Sequence, residues 1–140
     1  MSVDLNVFLN RSMMPTPTQW AQAIIDSGFD TEMDSDFDVD DFMGFLPCKH
    51  GGVDSGFEYY SDTVSPADRT ELDLPNLIDF SVTFVTGSNI RESMTSLISA
   101  GVLCKLSGGT LHDPQSGDSY SADTVLDWIR VEIAAHQEHL

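Results

Sequence analysis

Apolar residues recur along this chain at two different periods, and the order in which those periods follow one another restricts the available folds more than any other feature. Residues 2 to 9 alternate Val3, Leu5, Val7 and Leu9 against polar neighbours, with Phe8 breaking the pattern, which predicts a strand. Thr16 then offers a helix cap, Pro17 suits the first helical position and Gln19 completes a capping box. Trp20, Ala23, Ile24 and Ser27 share one helical face, and Gly28 ends it. Two aromatic segments, Phe42 to Cys48 and Gly56 to Tyr60, flank the turn-prone residues 49 to 55 and predict a hairpin. Beyond a polar connection around Pro66 to Pro75, Leu77 to Thr86 places Ile78, Phe80, Val82 and Phe84 on one face, the cleanest strand in the chain. Ser88 or Asn89 caps a second helix with Ile90, Met94, Leu97, Ile98, Gly101 and Val102 at helical spacing; Gly108-Gly109 stops it, and it is expected to lie at the centre of the core. Thr110 to His112 reads as a short strand and residues 113 to 118 as a turn. Ser121 is expected to cap a last helix carrying Val125, Trp128, Ile129 and Ile133.

Strand, helix, several strands, helix, strand, helix is not the regular alternation that builds a parallel sheet. The expected fold is α+β: one domain over residues 1–140, with an antiparallel sheet and about three helices packed on it. At 140 residues the chain sustains one core, and 41% apolar residues are enough to fill it without disulfides or metal. Cys48 and Cys104 each lie in an apolar stretch with no second cysteine nearby, so both are expected to be buried free thiols. The first residues carry an acid where a secretory leader carries Lys or Arg, and no segment approaches the length of a membrane span; a cytoplasmic location is expected.

Net charge is −17, from 23 acids and 6 bases. Repulsion from phosphate argues against direct binding to nucleic acid or to an anionic membrane, and a basic partner fits best. The acidity is unevenly placed. From residue 12 to 79 fifteen acids face only Lys49 and Arg69, whereas residues 80 to 140 hold seven acids and three bases. Within the richer half, Asp30, Glu32, Asp34, Asp36, Asp38 and Asp40 occupy every even position and Asp41 follows. If extended, the stretch presents those carboxylates on one face, about 6.6 Å apart, with Met33, Phe37 and Val39 opposite; part of it reads equally as loop. Charges that close repel within the roughly 8 Å Debye length, so the row costs stability. Either it guards an edge strand from pairing with other chains or it is kept for a cationic partner, and six charges exceed what guarding needs.

Tests for chemistry return little. A calcium loop starting at Asp34 would need Gly and Glu where Val39 and Phe45 stand, and no His or Cys spacing forms a recognisable metal motif, so no cofactor is expected. Ser55 stands one place too late for a nucleophile elbow in Gly52-Val53-Asp54-Ser55-Gly56, and phosphate-loop and dinucleotide motifs are missing from the sequence. Among so many acids no carboxylate pair is singled out, and a catalytic role is not expected.

Leu5-Asn6-Val7-Phe8-Leu9, Trp20 with Ile24 and Gly28-Phe29, Gly44-Phe45-Leu46-Pro47-Cys48, Ser55-Gly56-Phe57-Glu58-Tyr59-Tyr60 and the run from Gly109 to Asp118 together cover most of the chain. In that order they resemble bacterial immunity proteins encoded beside polymorphic or contact-dependent growth inhibition toxins. The resemblance implies a protein that binds one cognate toxin C-terminal domain and blocks it. A nuclease toxin has to hold phosphate in a basic cleft, for which a carboxylate row is the complement. The expected binding residues are Asp30, Glu32, Asp34, Asp36, Asp38, Asp40 and Asp41, with Glu58 and Tyr59 as neighbouring contacts and Phe57 and Tyr60 as further aromatic anchors. The alternatives are an inhibitor that mimics nucleic acid against a DNA- or RNA-binding protein, and a small hydrolase. Oligomeric state and strand order stay open.

Overall fold

The computed structural model describes residues 2–140. Seven strands, β1 (Val3–Leu9), β2 (Thr31–Met33), β3 (Gly44–His50), β4 (Val53–Thr63), β5 (Phe80–Thr86), β6 (Thr110–Asp113) and β7 (Asp118–Ser121), form one sheet in the order β2-β3-β4-β5-β1-β6-β7. Every neighbouring pair is antiparallel. Helices α1 (Pro17–Asp26), α3 (Ile90–Ser107) and α4 (Val125–Gln137) supply the side chains that complete the core, and a short helix α2 (Pro66–Glu71) joins β4 to β5. The fold is the expected α+β domain.

Local chemistry accounts for most boundaries. The Thr16 hydroxyl accepts from the Gln19 amide while the Gln19 side chain accepts from the Thr16 amide, so both halves of the capping box are made ahead of Pro17. Asn89 caps α3 by accepting from the Glu92 amide, and Gly108 ends it in a left-handed conformation, φ +70°. The β3–β4 hairpin turns on Gly51 and Gly52 alone, at φ +60° and +75°, the pair of positive angles that a two-residue turn matching strand twist requires. Its strands are therefore longer than the aromatic segments imply.

Alternation along β5 is complete: Phe80, Val82, Phe84 and Thr86 are buried and the residues between them are half-exposed. These residues join Leu5, Val7 and Leu9 of β1, Phe57 and Tyr59 of β4, Leu46 of β3, and Trp20, Ile24, Ile98, Leu103, Val125 and Ile129 of the helices in one apolar cluster. Helix α3 is buried from Met94 to Cys104, and this includes Thr95, Ser96 and Ser99. Two polar contacts tie it down: the Trp20 indole N–H donates to the Ser99 carbonyl at 3.0 Å, and the Ser55 and Thr95 hydroxyls pair at 2.7 Å. Cys48 and Cys104 are buried free thiols, and burial pushes them up to about 12 and about 11 respectively, leaving them inert as nucleophiles.

Several local expectations are corrected. Residues 30–41 are extended only over Thr31–Met33. The Asp34 carboxylate accepts from the Asp36 amide at 3.0 Å, and the Asp38 carboxylate accepts from the amides of Asp40 and Asp41 at 2.8 and 3.2 Å, so these side chains turn the backbone they were expected to line. Strand β5 starts at Phe80, because residues 72–79 form turns held by Arg69 donating to the carbonyls of Pro75 and Ile78. Helix α2, capped by Ser65 ahead of Pro66, lies inside the segment read as a plain connection. Ser121 does not cap α4: it ends β7, a strand the sequence reading omitted, and α4 begins after Thr124 with no side-chain cap.

Where α3 meets α4, Gly101 leaves no room for a side chain: a Cβ there would lie 2.5 Å from Ile129 Cγ1. Gly101→Ala gains about 0.5–1 kcal/mol of helix preference and incurs about 1–3 kcal/mol of overpacking against a buried neighbour. The variant is expected to lose about 1–2 kcal/mol net, read as a lower urea midpoint with an unchanged slope.

Candidate interaction surface

The helices cover one face of the sheet. The register places on the other face a set of cross-strand rows: Glu32, Lys49 and Asp54; Phe45, Glu58, Val85 and Asp4; Tyr60, Thr83, Asn6, His112 and Ser119. Polar neighbours in these rows bond to one another, Thr83 donating to Asn6 Oδ1 at 2.9 Å and Tyr60 to Glu58 Oε1 at 2.7 Å, while His112 Nδ1 and Ser119 Oγ pair at 2.9 Å. Donation to Glu58 raises the Tyr60 phenol above its ordinary range. Phe45, half-exposed, lies across Gly56, where an added Cβ would fall 2.5 Å from its ring. An aromatic ring thus fills what glycine leaves open in β4. Asp54, Glu58 and Asp62 line this same face of β4 and are exposed.

Residues 34–43 leave the sheet and form a loop between β2 and β3 whose underside is apolar. Met33 and Val39 are buried, and Phe37 and Phe42 pack against the core with Trp20 and Tyr59. Ring centroids of Phe37 lie 5.2 Å from Tyr59, 5.7 Å from Phe42 and 6.3 Å from Trp20, tilted edge to face. The Tyr59 hydroxyl donates to the Val39 carbonyl at 2.6 Å and Ser61 donates to the Asp40 carbonyl at 3.3 Å, so the loop is pinned to β4 from below. Burial pushes the Tyr59 phenol far above its ordinary range.

The carboxylates face solvent: Asp30 and Glu32 at β2, and Asp34, Asp36, Asp38, Asp40 and Asp41 on the loop, are all exposed. The expected sidedness therefore survives although the straight row does not, because Met33, Phe37 and Val39 are drawn inward even where the backbone turns. One of the carboxylates is held in an ion pair. Arg11, from the 3₁₀ turn after β1, grips Asp40 with two bonds of 2.8 and 2.7 Å and lies over the Phe80 ring, 5.4 Å from its centroid. The only other ion pair among the described residues is Arg130 with Asp127 on α4. Beside the loop a groove of about 320 Å³ runs between the entry to α1 and the turn, lined by Met14, Pro15, Phe37, Asp38, Val39 and Asp40 among others.

Of the residues the sequence nominated, the structure leaves the seven acids of the 30–41 segment exposed but in different surroundings, Asp30 beside His50 and Arg91, Glu32 and Asp34 beside Lys49 and Asp54, Asp38 and Asp40 beside Arg11, and it places Glu58 on the open face of the sheet. Tyr59 belongs to neither. It is fully buried with its hydroxyl consumed by Val39, because residues of odd number in β4 face the helices; Phe57 is buried for the same reason. Tyr60, one position on, is the exposed aromatic. Asp54, Tyr60 and Asp62 carry a period-two signal that the sequence reading did not extend through β4, whereas the pairing of Arg11 with Asp40 spans 29 residues and has no local signature. No helix among the described residues is long and apolar enough to cross a membrane, and no three His, Cys, Asp or Glu side chains among them converge to hold a metal ion. No protein-family model matches the chain, and no curated protein or solved structure matches it significantly.

Two outcomes follow. Tyr59→Phe leaves the Val39 carbonyl buried without its donor and is expected to cost about 1–3 kcal/mol, whereas Tyr60→Phe on the surface should change stability by less than about 0.5 kcal/mol; paired chemical denaturation curves separate them. The second concerns acid. Hydrogen bonding to Arg11 holds the Asp40 carboxyl below its ordinary value of 3.8, so the folded state favours the ionised form. The contribution is fully present above that value and is lost as pH falls through the lowered one. Both partners are about half exposed, which limits it to about 1 kcal/mol. The Asp40 side-chain carboxyl carbon resonance is expected to titrate below the ordinary aspartate range in the parent and to move up in Arg11→Gln.

Proposed function

We propose that the chain is a binding protein that recognises a basic protein domain through the carboxylate rim at residues 30–41, and that this domain is a toxin, a nuclease by its need for a basic cleft. The observation that carries the reading is that all seven acids are exposed and Asp40 alone of the seven forms an ion pair. Carboxylates left uncompensated on a packed floor repel one another, and a cationic partner relieves that repulsion. The floor matters as much as the charge. Phe37, Val39 and Phe42 hold the loop in place before a partner arrives, so little ordering entropy opposes association. Glu58, Tyr60 and Phe45 on the adjoining sheet face supply exposed aromatic and acidic contacts of the kind that slow dissociation. Mimicry of nucleic acid fits less well, since evenly spaced charges need a straight run and the backbone is extended only over Thr31–Met33.

The test keeps the Arg11–Asp40 pair and the Asp38 turn intact. Glu32→Gln, Asp34→Asn, Asp36→Asn and Asp41→Asn are combined, and the partner captured by the parent from the producing cell is identified and purified. The reading expects a basic chain whose toxic activity the parent blocks. Its association with the fourfold variant should slow by at least ten-fold at low salt, with little change at high salt. A folded variant whose association rate and salt dependence equal the parent's removes the rim from recognition, and a partner that is not basic removes the proposal.

A further inference from the structure

We propose that the cleft between the start of α3, the outer half of α4 and the β6–β7 turn is a binding site for a primary ammonium group. Its volume is about 180 Å³, below the roughly 300–1,000 Å³ of clefts that take drug-sized ligands, so the occupant is small or is the end of a longer side chain. None of the acidic-rim residues lines it.

The donor set selects the ligand. Thr86, Ser93 and Ser96 bring hydroxyls, Asp113 and Glu132 bring carboxylates, and His136 faces the same space, while no Lys or Arg lines the cleft. The His136 Nδ1 lies 2.7 Å from the Glu132 carbonyl, and since a carbonyl only accepts, Nδ1 carries the hydrogen and that bond fixes the ring at the cleft. With its amide turned to satisfy both ends, Gln115 donates to the Asp4 carbonyl at 2.9 Å and to Asp113 Oδ1 at 2.7 Å and accepts from the Asp4 amide at 3.1 Å; it locks the turn to β1 and fixes Asp113 at the cleft. Trp128 adds an aromatic wall, held by parallel stacking on Tyr120 with centroids 4.1 Å apart.

Four buried side-chain oxygens among the described residues have no hydrogen-bond partner, those of Asp4, Thr86, Ser99 and Ser107, and only Thr86 lines this cleft. The residue is 5% exposed, and its hydroxyl oxygen is buried with no hydrogen-bond partner. An unpartnered buried hydroxyl costs stability unless a ligand completes it. An anion would meet two carboxylates and no counter-charge, and a neutral molecule would bury those carboxylates uncompensated. An alkylammonium offers three donors to this acceptor-rich wall and a charge to balance it, with an indole beside it of the kind that attracts cations.

The experiment is an amide and indole NMR titration with butylammonium chloride, compared with 1-butanol at matched ionic strength. Saturable shifts are expected at Thr86, Ser93, Ser96 and the Trp128 indole with the ammonium, and binding at least ten-fold weaker with the alcohol. Glu132→Gln should weaken the ammonium at least ten-fold, and so should Thr86→Val, which removes only the unpartnered hydroxyl and is expected to melt no lower than the parent. The combined rim variant should bind as the parent does, which separates the cleft from general attraction of cations to a strongly acidic chain. A parallel titration with Nα-acetyl-lysine methylamide decides the source: tighter binding than butylammonium assigns a partner's lysine side chain, and weaker binding a free amine. Shifts that never saturate, shifts confined to residues 30–41, or undiminished binding in folded Glu132→Gln or Thr86→Val would overturn the assignment.

Discussion

Everything in this molecule is arranged around the burial of α3 against one face of the sheet. The helix is enclosed from Met94 to Cys104, and most of that length is sealed by strands and by the other helices. Such a helix needs small residues where neighbours press closest, and Ser96, Ser99, Ala100 and Gly101 supply them in succession. Close approach brings backbone and hydroxyl groups into a dry interior, where each requires a partner. The Trp20 indole and the Ser55 hydroxyl answer two of those requirements, and in doing so they fix the position of α1 and the height of β4 relative to α3. Because all three long helices contribute to the same cluster, the opposite face of the sheet is left to water or to a partner.

The acidic loop inherits its order from that core. Tyr59 reaches Val39 and packs against Phe37 from a strand that α3 holds in place, so the loop carrying most of the carboxylates is anchored from its apolar side. Two of them, Asp34 and Asp38, accept backbone amides and shape the turns, and a third is neutralised by Arg11. Charge and conformation are thereby separated: the aromatic underside keeps the loop in register while the upper side remains free for electrostatics.

The fold was legible in the sequence wherever periodicity and capping agreed. Thr16-Pro17-Thr18-Gln19 names the start of α1, Asn89 and Gly108 bracket α3, and the alternation from Phe80 to Thr86 is the strand it looks like. Legibility failed where a side chain competes with the backbone ladder. Alternating acids imitate a half-buried strand, yet aspartate is poor in strands and its short carboxylate captures amides one to three residues on, which bends the chain as at Asp38. Short elements escaped for a different reason: α2 and β7 span six and four residues, too few for a period to emerge. The candidate site was half readable. Which carboxylates face water followed from the inward pull of Met33, Phe37 and Val39, while Tyr59 was misplaced by a single position of strand parity, and the grouping around Thr86 joins residues from five parts of the chain.

The lengths of the outermost strands have a consequence for how this protein meets others. The sheet ends in β2 at one side and β7 at the other, three and four residues long. A foreign strand laid along either border would find too few free amides and carbonyls to hold it, and at β2 it would run at once into the carboxylates that follow. Lateral growth into fibres is closed at both ends. What the borders withhold as backbone, the open face of the sheet offers as side chains.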